Sequence, residues 1–222
     1  MTDDRKSGIA LMAGSVGGML TMAIHPVGSG IHTSEEAAHL ALTSGVAHSI
    51  AMVSFVLLFL GGVGITRRLA ASDRLAVAAL VTYGFACVAI LIAAAVSGFI
   101  VPNIIKMMMR DVPAAETQWR LVIAAVFQFN QAFARIYSVA ASVAIGLWSF
   151  SALHSRGLKR GTAVYGCIVA PVLIVLIGAG HLRLNVHGMA VVVVAHTIWL
   201  VLVGIELLGS AGKLHAIEAE HA

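Results

Sequence analysis

Two octapeptides carry a histidine in the same place. Val46-Ala47-His48-Ser49-Ile50-Ala51-Met52-Val53 is echoed by Val194-Ala195-His196-Thr197-Ile198-Trp199-Leu200-Val201. Both lie in stretches apolar enough to cross a bilayer, where an ionisable side chain is costly and as a rule has a partner or a task. Neutral imidazole is the commonest protein ligand of transition metals and an axial ligand of haem iron. Two histidines on different helices of a bundle can clamp one such group. His48 and His196 are therefore the first candidate ligands, and haem b or a transition metal the candidate cofactor, for electron transfer or sensing.

The other histidines lean the same way. Of the ten, seven (His25, His32, His39, His48, His181, His187 and His196) fall outside or in the outer leaflet of the topology derived below. His25, His181 and His187 join His48 and His196 as candidate metal ligands. Other metals fit less well. Met107-Met108-Met109, with Met19, Met22 and Met189 near the same face, offers thioethers of the kind copper(I) favours. Three adjacent methionines point in different directions on a helix, however, and a segment lying on the membrane accounts for them equally. Zinc hydrolysis asks for a compact ligand set and a general base. No His-Glu-x-x-His is present, and His181 and His187 are six apart, a poor helical spacing. Nothing in the sequence marks a catalytic set.

A second constellation lies in the fourth apolar stretch. Gln128, Gln131, Arg135, Ser138 and Ser142 recur at steps of three and four, which places them on one helical stripe; Asn130 and Tyr137 flank it. Arg135 is some fifteen residues past Arg120, which predicts a position near mid-membrane or in the inner half. An arginine there costs at least about 2.5 kcal/mol and is expected to face the bundle interior or a watery cavity. Glu206 is its candidate partner; the alternatives are an anion, a lipid headgroup or a cofactor carboxylate. Two further functions compete with cofactor binding. One is a small transporter or permeation pathway lined by this stripe around Arg135. The other is a structural or accessory subunit without a cofactor.

The elements that must position these residues follow from composition. The 222 residues are 59% hydrophobic and 11% charged, and the mean hydropathy is +0.96. A soluble domain of this size cannot hide that much apolar surface. Apolar runs of about 20 residues predict an all-α, polytopic six-helix transmembrane bundle, with helices at about 8–24, 45–65, 75–101, 121–150, 163–180 and 188–208. These form a single integral membrane domain over 1–222, ending in a short tail at 210–222. Thr33 and Glu36 have capping-box spacing, so the second helix is expected to start near Ser34. Trp119, Trp148 and Tyr165 are expected near the interfaces, as an aromatic belt. Gly14 and Gly18, and Gly61, Gly62 and Gly64, allow close helix packing.

Charge sets the expected orientation. The N-terminus, two loops and the tail carry Arg5, Lys6, Arg67, Arg68, Arg74, Arg156, Lys159, Arg160 and Lys213, against Lys106, Arg110, Arg120 and Arg183 on the other side. The positive-inside rule then puts both termini in the cytoplasm, of a bacterial-type inner membrane. The net charge of +4 is spread over these short loops, which excludes a nucleic-acid surface. Cys87 and Cys167 lack Cys-x-x-Cys spacing and read as core residues. The expected partners are the lipid bilayer and a homo-oligomer or membrane-complex partner.

Overall fold

The computed structural model describes residues 3–26, 33–70, 74–110 and 116–220. They are mostly helical, with short connecting turns and no strand among them: α1 (Asp3–Ile24), α2 (Ser34–Leu69), α3 (Leu75–Ala95), a π-helical turn (Val96–Ile100), α4 (Val101–Met108), α5 (Glu116–Ser155), α6 (Arg160–Gly178) and α7 (Val186–Glu220). Six helical stretches are long and apolar enough to cross a membrane; α3, the π turn and α4 run on as one of them. The architecture is that of a multi-pass membrane protein.

The helices outrun the apolar stretches because their polar ends continue the helical turn. At α2 the Thr33 side chain accepts from the Glu36 amide and the Glu36 carboxylate accepts from the Thr33 amide, so the expected capping box is formed. Beyond α3, Pro102 is the second residue of α4, directly after the π turn. The segment after Val101, expected as a loop, stays helical as far as Met108. Helix α5 has 40 residues and is about 60 Å long, roughly twice the hydrocarbon thickness.

Around the bundle the neighbours follow the order α7, α1, α2, α3, α5, α6, and α6 returns to α7. The end where α1 begins and α2 finishes is called proximal here, the opposite end distal. Small residues make the α1–α2 contact close. A methyl group on Gly14 would stand 2.7 Å from a Leu58 side-chain carbon, and Gly61 and Gly64 receive Leu11 and Ser7. Gly18, by contrast, faces open space.

The proximal half is filled. Trp148 and Trp199 stack at 6.0 Å and 10°, Tyr83 lies 5.3 Å from Trp148, and the Trp148 indole N–H donates to Thr66 at 3.0 Å. Trp148 is fully buried, so it belongs to the core and not to an interfacial belt: its hydrogen-bond partner lies inside the bundle. Tyr165 likewise turns inward and donates to the Ala195 carbonyl at 3.1 Å. Arg67 and Arg68 of α2 pair with Asp3 and Asp4 of α1 at 3.0 and 3.2 Å. Buried Glu206 of α7 accepts from the Lys159 amide (2.7 Å) and the Thr162 hydroxyl (2.5 Å) and thereby caps α6.

Candidate functional site

The distal half of the bundle encloses a cavity of about 570 Å³, within the roughly 300–1,000 Å³ usual for small-molecule sites. Its wall is mainly apolar, with Phe55, Leu58, Ile90 and Leu200 deep and Pro26, Pro102 and Ile105 toward the distal end. Its polar lining includes His25, Ser44, His48, Asn130, Gln131, Tyr137 and His196. The two echoed histidines thus border one cavity, together with His25.

His48 is held by its own helix and by the π turn. Its Nδ1 lies 2.7 Å from the Ser44 carbonyl, one turn earlier. A carbonyl can only accept, so Nδ1 carries the proton and Nε2 keeps its lone pair. The Ser44 hydroxyl donates to the Ser97 carbonyl at 2.9 Å, tying α2 to the π turn. Gly98 in that turn packs against the His48 side chain: an added Cβ would stand 2.6 Å from His48 Cβ and 3.0 Å from Cγ. Single π turns inside α-helices occur often at functional sites, and this one backs the ring. The His25 ring meets His48 edge-on, with centroids 5.1 Å apart.

His196 is held differently. The Ser142 hydroxyl donates its one proton to the Ser138 carbonyl at 2.7 Å. Its oxygen therefore accepts from His196 Nε2 at 3.0 Å. That leaves Nδ1 with a bare lone pair, and this atom is buried without a partner among the described residues. Asn130 Oδ1, on another residue of the cavity wall, is buried and unpartnered as well. A buried acceptor without a partner costs about 1–3 kcal/mol, so the wall is short of hydrogen-bond or coordination partners at two atoms. Tyr137 packs between Phe55 (5.2 Å) and His196 (6.2 Å).

The two histidines differ in depth. Phe55 lies seven residues past His48, about 10 Å deeper, and it is Phe55 that leads through Tyr137 to His196. His181 and His187 are exposed and stay outside the cavity lining. His32 falls outside the described residues. Among the described residues no group of three or more His, Cys, Asp and Glu gathers as a metal would require.

The α5 stripe divides. Ser138 and Ser142 are fully buried, and Gln131 borders the histidine cavity. Gln128 and Arg135 are exposed on the outside of the bundle. The expectation that Arg135 faces the bundle interior is therefore corrected: it lines an outer groove. Ser138 Oγ lies 3.8 Å from Met189 Sδ, and Met189 is the fourth residue of α7. Arg135, three residues nearer the distal end, stands about 4.5 Å further out, level with the α6–α7 turn. Pairing with Glu206 is corrected by the same register: Glu206 lies 17 residues beyond Met189 on α7, about 26 Å toward the proximal end.

Gly98, Ser44 and Tyr137 complete the site without having been singled out as site residues. The spacing of Ser44 and His48, four apart, is a signal the sequence does carry; the packing of Gly98 on a ring fifty residues away is not. Comparison with protein-family models, with curated proteins and with solved structures finds no match for this chain.

Proposed function

We propose that the protein is a membrane-embedded cofactor-binding protein whose distal cavity holds one planar, mainly apolar group with a metal centre, of the haem b kind, for electron transfer or sensing. The carrying observation is the convergence of His48 and His196 on one cavity of about 570 Å³, with ring nitrogens left without partners. A bare ion asks the protein for three or four ligands, and no such group gathers among the described residues. A haem brings its equatorial nitrogens with it and asks for one or two imidazoles. The anchoring of His48 Nδ1 by a backbone carbonyl is the outer-shell contact that metal-ligating histidines have as a rule. Lying nearer the distal end, His48 would hold the metal centre, and His196 would be a polar contact deeper in the cavity. A permeation pathway along α5 has less support, since Gln131 alone of the five stripe residues borders this cavity.

The test is an absorption spectrum of the purified protein, expressed with haem precursor supplied, together with metal analysis. A Soret band is expected in the wild type. It is expected to be lost in His48→Ala and kept, with a shifted maximum, in His196→Ala. A colourless and metal-free wild type overturns the reading and leaves the accessory-subunit role.

A further inference from the structure

We propose that the groove along the outer face of α5, to which α3 contributes Thr82, binds one anionic phospholipid, with its phosphate on Arg135. The groove measures about 740 Å³ and meets the histidine cavity only at Gln131, which borders both; the proposal is independent of the cofactor reading.

Its lining changes character in one direction along α5. Gln128, Gln131 and Arg135 come first, from the distal side; Ile136, Val139 and Val143 follow toward the proximal side. The register fixed by Ser138 and Met189 puts the guanidinium level with the α6–α7 turn, at the height of a bilayer's headgroups. From there to Val143 the apolar floor continues for eight residues, about 12 Å into the hydrocarbon. The sequence of a charged head and an apolar run below it is that of a phospholipid.

Charge selects the head. Arg135 is exposed and makes no hydrogen bond or ion pair with the described residues. A guanidinium matches two phosphate oxygens at once, and the two glutamine amides beside it add neutral donors. Basic pockets between membrane helices bind lipid headgroups by this chemistry.

Native mass spectrometry of the full-length protein in detergent, with phosphatidylglycerol or phosphatidylcholine added, reads the site. Phosphatidylglycerol is expected to bind better by about fivefold, the factor one basic side chain contributes at a charged surface. Arg135→Gln is expected to remove that preference and Arg135→Lys to keep part of it. Arg110→Gln, an exposed charge on the distal turn after α4, is expected to leave it unchanged. Val143→Trp, which fills the apolar end and leaves Arg135 in place, is expected to lower binding and decides the matter if Arg135→Gln does not fold. Equal binding of both lipids, an undiminished preference in folded Arg135→Gln, or undiminished phosphatidylglycerol binding in folded Val143→Trp overturns the proposal. So does displacement by inorganic phosphate, which assigns the arginine to a free anion.

Discussion

At the residue scale Glu206 does for α6 part of what the third-residue carboxylate of a capping box does from inside its own helix. Its two carboxylate oxygens take the amide of Lys159, the N-cap residue, and the Thr162 hydroxyl. The carboxylate therefore joins α7 to α6 near the proximal end, as the Tyr165 hydroxyl does further along at the Ala195 carbonyl. Removing it strands a buried donor at a charge-assisted bond, which costs about 1.5–3 kcal/mol. Glu206→Ala is expected to lower the thermal unfolding midpoint in detergent, with Glu206→Gln intermediate; an unchanged midpoint in Glu206→Ala contradicts the capping role. The acceptor set was not legible in the sequence. Its donors are 47 and 44 residues away, and a lone acid in an apolar run points as readily to Arg135 as to a helix end.

At the scale of elements the π turn is the decisive departure from regularity. It lies where α3 would otherwise run straight on into α4, and it presents Gly98 to the His48 ring and the Ser97 carbonyl to Ser44. Gly98→Val adds three carbons, the first of them only 2.6 Å from His48 Cβ, so the imidazole must move. The expected outcome is loss of the cofactor spectrum at unchanged helix content. Gly161→Ala, at a glycine with open space around it, is expected to change neither. Retention of the wild-type spectrum in Gly98→Val contradicts the role given to the turn. The six spans themselves were legible, because each is a long apolar run and Thr33 and Glu36 spell out the start of α2. The site was legible in its members His25, His48 and His196. Their relative depth was not, nor which face of α5 Arg135 takes: both depend on how far each helix projects past its apolar stretch, and polar helix ends leave no mark in a hydropathy reading.

For the whole molecule, charge bias gives an orientation that labelling can check. With Cys87 and Cys167 replaced by alanine, a cysteine at exposed Glu35 on the distal side is expected to react with a membrane-impermeant maleimide in intact cells. One at exposed Arg74 on the proximal side is expected to react only after lysis. The reverse pattern inverts the topology. Whichever side proves external, the stacked Trp148 and Trp199, with Tyr83, Ile145, Val203 and Leu207, are buried between the histidines and the proximal end. An occupant that enters from the distal side therefore meets a packed aromatic floor, and passage to the opposite face would require those rings to part.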